Sequence, residues 1–380
     1  MLLEYRQSLH HFEQGKGELS IFPHTLRKYV LKLQHAAKGA AMDVSSITRR
    51  GLITFLGATA AWRPLDTLAQ ALPIIGFVNS GNSGPSATFS PLMNAFHQGL
   101  SKGGYIEGQN TVVEYRWAGG HYDRLPDLIA DLVSRRVALI VASGGLVSAL
   151  AAKAATDAIP ILFIAGFDPV HVGLVTSLSR PGGNATGVSV YTTELAQKRL
   201  DLLHQLVPKA TFFALLVNPK STDGAVPKIE IMRVEEMARQ FGLRLLVLEA
   251  SAEGEIEAAF ARAAEEKVDA LMVNADPYFT PRRAQIVALA AQYGLPTIYP
   301  WREYVQAGGL MSYGPTFAWA YHQVGLYAAH ILDGVKPSDL PVQFPTQFDW
   351  VINYKTAKAL GLTVPRSMRA GAEAFEEAFE

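Results

Sequence analysis

The segment "LIVASGGLVSALAAKAA", residues 139–155, contains the pattern that decides the fold. It begins with a short apolar run typical of a buried strand, Ser143, Gly144 and Gly145 interrupt that run, and an alanine-rich stretch typical of a helix follows. A strand that leads through a glycine turn into a helix is the first half of a βαβ unit, so the segment predicts a parallel sheet.

The same alternation of apolar runs and helical patterns continues on both sides of this segment. Strands are predicted in two series, at 73–80, 111–118, 137–143, 159–166 and 185–191, and at 212–219, 243–251, 269–277, 295–301 and 309–314. Helices are predicted at 192–206, 229–241, 254–265, 281–293 and 316–333. Two such series predict an α/β fold with two similar lobes, and ligands of open parallel sheets bind at the carboxyl ends of the strands.

Composition excludes several classes of protein. The chain has 380 residues, of which 49% are apolar, so we expect about two folded domains. Lys plus Arg and Asp plus Glu both number 34, and without a basic excess we expect no nucleic-acid partner. Cysteine is absent, which excludes disulfides, thiolate metal sites and a cysteine nucleophile.

The N-terminal region has the pattern of an export signal. Arg49 and Arg50 precede the apolar segment "GLITFLGATAAW", and small residues follow up to Ala69. This segment is shorter than the roughly 20 residues that span a bilayer. We expect residues 1–69 to be a leader plus an export signal with its core at 48–69, similar to a twin-arginine signal, cleaved near Ala69, with the mature protein in the periplasm. A buried amphipathic helix is the alternative, and residues 1–41, which precede Met42, are expected to be an upstream start assignment or a disordered leader.

The glycine turn is a candidate anion site. A helix N-terminus presents unpaired N–H groups, and glycines allow an anion to approach the backbone, while Ser143 adds a hydroxyl. Leu146 and Val147 stand where a phosphate-binding loop needs lysine, and no G-x-G-x-x-G pattern is present. The turn therefore favours a smaller anion such as a carboxylate, and a simple strand-to-helix connection remains the alternative.

A carboxylate follows a strand of the second series, in "VNADPYF" at residues 273–279. Asp276 either faces a cleft, where it would pair with a cation, or caps the helix predicted near Thr280 and Pro281. An anion-receiving turn in one lobe and a carboxylate in the other would together hold a zwitterion such as an amino acid. Aromatic residues at strand ends could stack on a flat apolar ligand or simply pack in the core: Trp117, Phe167, Tyr191, Tyr278, Phe279, Tyr299, Trp301 and Tyr313.

Enzyme motifs are sparse in this sequence. Six histidines follow the export signal without metal-ligand spacing, at His97, His121, His171, His204, His322 and His330. No G-x-S-x-G nucleophile elbow is present. We therefore expect no catalytic residues, no cofactor and no metal.

Several segments resemble the ABC-transporter substrate-binding protein family that includes tryptophan- and tyrosine-type aromatic binders. They include "GFVNSG", "ASGG", "DPVHVGLVTSLSRPGGNATGVS", "KRLDLLHQLVPKA", "VNADPYF" and "GLPTIYPWREYVQAGGLMSYGP", spread over residues 49–365. The resemblance implies a type I periplasmic binding fold, with two Rossmann-like lobes whose parallel sheets are joined by three hinge crossovers near 188–192, 311–316 and 341–348. It implies a first lobe of residues 73–188 and 315–341 and a second lobe of residues 189–314 and 342–380.

The resemblance also implies a ligand site and a function. The residues that match the family's motifs are Asn79, Ser80, Ser143, Gly144, Asp168, Tyr191, Asp276 and Tyr313. The implied function is that of an exported, monomeric solute-binding component of an ABC importer, which closes over an amino acid or small aromatic carboxylate and delivers it to an inner-membrane permease. The alternatives are a sensory ligand-binding protein or effector domain of the same fold, and an enzyme on a doubly wound scaffold.

Overall fold

The computed structural model describes residues 72–375, except for 82–83, 85–89 and 222–224. The predicted leader and export signal, residues 1–69, therefore lie outside the described residues, as do the last five residues of the predicted second lobe, 376–380.

Strands and helices alternate along most of the described chain. In chain order they are β1 (Ile74–Asn79), α1 (Ser90–Lys102), β2 (Val112–Trp117), α2 (Leu125–Ser134), β3 (Leu139–Ser143), α3 (Leu146–Ala155), β4 (Ile161–Ala165), β5 (Ala185–Ser189), α4 (Ala196–Leu206), β6 (Phe212–Val217), α5 (Ala225–Gln240), β7 (Arg244–Glu249), α6 (Glu255–Glu265), β8 (Ala270–Val273), α7 (Arg283–Gln292), β9 (Thr297–Tyr299), α8 (Arg302–Gln306), β10 (Met311–Pro315), α9 (Phe317–Leu332), β11 (Phe348–Asn353), α10 (Tyr354–Ala359), α11 (Arg366–Gly371) and β12 (Glu373–Phe375). Single turns of 3₁₀ helix occur at Tyr122–Arg124, Thr280–Arg282 and Pro337–Asp339.

The first lobe is built on a five-stranded parallel sheet with the order β2-β1-β3-β4-β5. Strands β3, β4 and β5 are buried along their whole length. Continuous apolar burial is typical of parallel strands that are covered by helices on both faces of the sheet. This explains why the run before Ser143 reads as an uninterrupted apolar segment rather than as an alternating one.

The second lobe is built on a seven-stranded sheet with the order β12-β11-β10-β9-β8-β6-β7. Its strands pair in parallel except for β11, which runs antiparallel to β10. Strands β11 and β12 come after the last strand that the sequence predicts, and they were not predicted. Strand β11 starts with exposed and half-buried residues, and β12 has only three residues, which explains why their patterns are weak.

Helix α9 returns to the first lobe after the second sheet has begun, and it packs against α1. Two glycines make this contact possible, since a Cβ at Gly99 would lie 2.0 Å from the carbonyl oxygen of His322, and one at Gly325 would lie 2.1 Å from that of Phe96. The two helices therefore meet backbone to backbone.

The chain passes between the lobes three times, between β5 and α4, between β10 and α9, and between Gln343, which bridges to Val188, and β11. The predicted fold class, two α/β lobes with mostly parallel sheets joined by three crossovers, is confirmed. Helix α4 begins at Ala196 and not at residue 192, because Tyr191 has a left-handed backbone with a φ of 47° and a turn follows it.

Candidate functional site

A cavity lies where the carboxyl ends of the two sheets face each other. The first lobe lines it with Asn79, Gly144, Gly166, Phe317 and Tyr321, and the second lobe and the first crossing line it with Thr192, Ala275, Pro277, Thr280 and Trp301. Its volume is about 50 Å³. That is room for a few water molecules, since one water needs roughly 10–15 Å³ by this measure. The two lobes therefore lie close together at this cavity, whereas a larger cavity of about 1160 Å³ lies between Tyr122 and Asn218 beside it.

Glycines allow the two lobes to approach this closely. A Cβ at Gly81 would lie 2.3 Å from the carbonyl oxygen of Pro277, and one at Gly145 would lie 3.1 Å from the Pro277 ring. Gly144 and Gly145 also have positive φ angles of 83° and 92°, a conformation that favours glycine. Bare backbone of the first lobe thus meets the Pro277 loop of the second.

The structure brings four of the predicted site residues together at the edge of the first lobe. The Asn79 Nδ2 donates to Ser143 Oγ at 2.7 Å, and the Asn79 Oδ1 accepts the amide of Gly81 at 3.0 Å. Ser80 Oγ donates to the carbonyl oxygen of Gly144. These neutral groups form one buried cluster whose members satisfy one another.

Tyr321 joins this cluster and was not among the predicted site residues. Its hydroxyl lies 3.1 Å from Ser143 Oγ, although 178 residues separate the two in sequence. Burial raises the pKa of Tyr321, which keeps its hydroxyl neutral. The only sequence signal was its place four residues after Phe317, on the same face of an aromatic-rich helix.

Asp276 occupies the corresponding position in the second lobe and is only 4% exposed. Its Oδ1 accepts hydrogen bonds from Asn218 Nδ2 at 2.9 Å, from the amide of Tyr278 at 2.9 Å and from the hydroxyl of Tyr122 at 2.8 Å. Burial raises the pKa of Asp276, and these donors oppose that rise because they stabilise the carboxylate.

The contact with Tyr122 crosses the cleft, because Tyr122 belongs to the first lobe. Sequence analysis did not identify Tyr122. Asp276 also accepts the amide of Tyr278, two residues further on, and so caps the turn that leads into Thr280–Arg282, while its contact with Tyr122 faces the first lobe. Asp276 therefore connects the two lobes.

The remaining predicted residues lie outside the lining of the cavity. Asp168 Oδ1 accepts the amides of Val170 and His171 at 2.9 and 3.3 Å and so closes a surface turn. Tyr191 stacks on Phe344 with ring centroids 4.7 Å apart, and Tyr313 faces Phe348 at 6.1 Å. Asp168, Tyr191 and Tyr313 are thus not brought together with Asn79, Ser143 and Asp276.

Aromatic side chains close one side of the cavity. Trp301 of the second lobe stacks on Phe317 at the start of α9, with ring centroids 4.6 Å apart, and Phe317 meets Tyr321 edge to face at 5.4 Å. Other aromatic residues at strand ends pack in the core instead, as Tyr299 does against Tyr304. An apolar wall between two polar edges can receive a flat side chain whose polar end is held elsewhere.

The described part of the chain has neither a group of candidate metal ligands nor a helix suited to cross a membrane. Across residues 72–375, apart from the three short gaps, no three His, Asp or Glu side chains are grouped so that they could hold a metal ion. Over the same residues, no helix combines the length and the apolar character that crossing a membrane requires.

Comparison with known protein families identifies the family of this chain. Residues 85–376 match the family model of the ABC transporter substrate binding protein. The match covers more than half of the 380 residues, and the chain therefore belongs to this family.

Named relatives in the family include amino-acid binders. A tyrosine-binding protein from Clostridioides difficile (strain R20291) is 28% identical over 267 residues, which are 70% of this chain and 75% of that protein. The structure of an ABC domain in complex with L-Trp from Streptococcus pneumonia has 25% identity and a TM-score of 0.70, over 80% of this chain and 99% of that one. The ligand-free, open structure of a substrate binding protein with adhesive properties from Clostridium difficile has 25% identity and a TM-score of 0.57, over 81% and 100%.

Proposed function

We propose that this protein is the exported solute-binding component of an ABC importer and that it closes its lobes over an aromatic amino acid or a related small aromatic carboxylate. The observation that carries the proposal is the interlobe cavity with its stacked aromatic wall, next to which the buried carboxylate of Asp276, between the lining residues Ala275 and Pro277, faces the first lobe. The tyrosine-binding relative and the tryptophan-bound structure support this class of solute.

Binding works through closure of the cleft. A solute that contacts both lobes only when they are close together stabilises the closed form and shifts a pre-existing equilibrium. The higher TM-score with the tryptophan complex than with the open, ligand-free structure supports the interpretation that the arrangement here is close to the closed form. Because the cavity is only about 50 Å³, the Trp301 and Phe317 rings move apart to admit the solute side chain.

The two ends of the solute meet different lobes. Its carboxylate lies at the glycine turn, near Ser143 and Gly144, where α3 follows Gly145 without a side-chain cap and presents its N–H groups. Its ammonium lies beside Asp276, because a cation compensates a buried carboxylate. Asn79 and Ser80 hold the glycine turn in place.

We further propose where the protein works in the cell. The protein is exported through the signal at residues 48–69, is cleaved near Ala69, works as a monomer in the periplasm and delivers its solute to an inner-membrane permease. The absence of a catalytic motif in the sequence and the binding roles of the named relatives support a protein that is not an enzyme.

A thermal-shift experiment tests the proposal. The purified chain is unfolded and refolded to remove solute that it carried over, and its melting temperature is measured with L-tryptophan, L-tyrosine, L-leucine, glucose and galactose. A ligand that binds only the native state raises the melting temperature. We expect a rise with the aromatic amino acids, and a rise with the sugars alone would contradict the proposal.

Blocked amino acids separate the two ends of the solute. Tryptophan amide lacks the carboxylate and N-acetyl-tryptophan lacks the ammonium, so we expect both to lose most of the shift. Asp276→Asn should lower the shift with L-tryptophan and leave the already small shift with N-acetyl-tryptophan unchanged. If both compounds lose the same share of their shift, Asp276 does not contact the ammonium.

A further inference from the structure

The second lobe buries an ion pair directly behind the cleft. Arg199 on α4 and Glu230 on α5 are 0% and 2% exposed, and Arg199 Nη2 lies 3.3 Å from Glu230 Oε1. Burial raises the pKa of Glu230 to about 7, against the opposing effect of Arg199. The binding site proposed above uses neither side chain.

Hydrogen bonds extend this ion pair in two directions. On one side Arg199 Nη2 donates to the carbonyl oxygen of Thr192 at 2.8 Å, on the first crossing between the lobes. On the other side Asn274 Nδ2 donates to Glu230 Oε2, at the point where β8 ends. Thr192 and Ala275 both line the cavity, so the ion pair links two segments of the cleft wall.

Stability alone does not explain why the second lobe buries the Arg199–Glu230 ion pair. Desolvation of a buried ion pair often exceeds the attraction between its charges, and apolar replacement of both partners is often neutral or stabilising. Within the described residues, Arg199 Nε and Nη1 are buried and have no hydrogen-bond partner, which adds to the penalty. A role other than stability would account for charges at this place.

Asn274 joins the ion pair to the segment that contacts the opposite lobe. Two residues after Asn274 comes Asp276, which accepts the hydrogen bond of Tyr122 from the first lobe, and the next residue, Pro277, meets Gly81 and Gly145. A shift at Asn274 therefore displaces the atoms that touch the opposite lobe.

We propose that Arg199 and Glu230 are positioning residues for solute binding, a role that rests on the proposed function. They hold the loop of residues 274–277 at a fixed distance from Thr192, so that the equilibrium between open and closed cleft depends on this buried pair.

Two variants and a matched control test this role. Asn274→Ala removes the link to the loop without a change of charge, and Arg199→Met combined with Glu230→Leu replaces both charges with apolar side chains. Thr297→Val is the control, because Thr297 is a buried polar residue at the start of β9 that donates to the carbonyl oxygen of Leu295 at 2.8 Å, two residues earlier, and does not line the cavity.

The first measurement needs no solute. The chain has no cysteine, so Asp127→Cys and Glu253→Cys on exposed positions of the two lobes accept a pair of spin labels. We expect Asn274→Ala and the double variant to shift the label distances toward a wider separation, while Thr297→Val leaves them unchanged. Distances equal to those of the labelled parent in both variants would overturn the proposal.

The second measurement is the affinity for L-tryptophan and L-tyrosine by titration calorimetry. We expect Asn274→Ala and the double variant to weaken binding by about tenfold or more. We also expect the double variant to keep a free energy of unfolding close to that of the parent. If the ion pair were only structural, a variant of unchanged stability would also keep the affinity of the parent. If the parent binds neither amino acid, the proposed function fails, and the label distances still decide the positioning role.

Discussion

At the carboxyl ends of its strands the first lobe presents neutral side chains, Asn79 and Ser143, whereas the second lobe presents Asp276 beside the buried charges of Arg199 and Glu230. The neutral cluster is complete within one lobe, since Tyr321 on α9 also belongs to the first lobe. The carboxylate of Asp276 draws one of its donors, Tyr122, from the opposite lobe. Opening the cleft therefore leaves the first edge intact and removes a partner from the second.

This difference assigns separate tasks to the two edges. Neutral groups that hydrogen-bond to one another hold a fixed geometry, and their burial costs little free energy. Buried charges respond strongly to any change of their surroundings, because their desolvation must be compensated by nearby partners. The first lobe thus supplies a fixed surface and the second lobe supplies the part whose energy changes on closure.

The largest effect is expected when a charge is removed from the second edge. Arg199→Met leaves the Glu230 carboxyl buried without its cation, and breaking a buried pair in this way costs about 3–5 kcal/mol in the free energy of unfolding. Ser143→Ala removes the buried hydroxyl that bonds Asn79 and contacts the Tyr321 hydroxyl, and the loss of these hydrogen bonds costs about 1–3 kcal/mol. Urea unfolding of the two variants and the parent measures both values, and equal losses would contradict the distinction between the edges.

A smaller effect is expected in the pH dependence of stability, and it arises from Glu230 of the same ion pair. The pKa of Glu230 is raised from 4.5 to about 7 in the folded protein, so folding favours its protonated form. The stability that this group contributes is fully present below pH 4.5 and is lost as the pH rises through about 7. Glu230→Gln cannot ionise, and its free energy of unfolding should fall less than that of the parent between pH 5 and pH 8, about the range that the two pKa values span.

Urea unfolding at several pH values gives this comparison. Burial also raises the pKa of Asp276, and the Asp276 charge contributes to the raised pKa of Glu230, so the comparison is repeated in an Asp276→Asn background, in which only residue 230 differs. If the two pH profiles are parallel, Glu230 does not titrate in this range.

How far the sequence predicted this arrangement depends on the range of the interactions involved. Buried strands and amphipathic helices are local patterns, and the segment around Ser143 was enough to predict a parallel sheet. The contacts that define the site join residues far apart in the chain, as Tyr122 and Asp276 do across 154 positions. No local pattern encodes such a pairing, because it depends on how two loops meet after both sheets have formed.

The same reason explains the differences at other predicted positions. Asp168 and Tyr191 follow strands of the first lobe, as a ligand-binding residue would, yet their side chains pack on a turn and on Phe344. A position at the carboxyl end of a strand is a condition for contact with the cleft but does not determine the direction of the side chain. Strands β11 and β12 were not predicted because the apolar stretch of β11 has only three residues, 350–352, and β12 is three residues long.

The hydrogen bond between the lobes is expected to have an intermediate effect, on affinity rather than on stability. Tyr122→Phe removes the donor that Asp276 gains on closure, and a hydrogen bond to a charged group is worth about 1.5–3 kcal/mol, or about tenfold or more in the affinity for L-tryptophan. Tyr105→Phe is the matched control, because the Tyr105 hydroxyl donates to Asp333 at 3.2 Å within the first lobe. Equal affinities of the two variants would show that the Tyr122 contact does not contribute to closure.

The smallest effect is expected at Asp168, a carboxylate that follows a strand of the first lobe. Asp168→Asn keeps the oxygen that accepts the amides of Val170 and His171, so the turn stays closed and the free energy of unfolding should change by no more than about 0.5 kcal/mol. Asp276→Asn keeps an oxygen for Tyr122 but loses the charge that the solute ammonium would meet. Calorimetric titration measures the affinity of the two variants for L-tryptophan. We expect it to fall in Asp276→Asn and to stay at the parent value in Asp168→Asn. Equal weakening at Asp168 would mean that this carboxylate also meets the solute, and recognition of the ammonium would then be shared by both lobes.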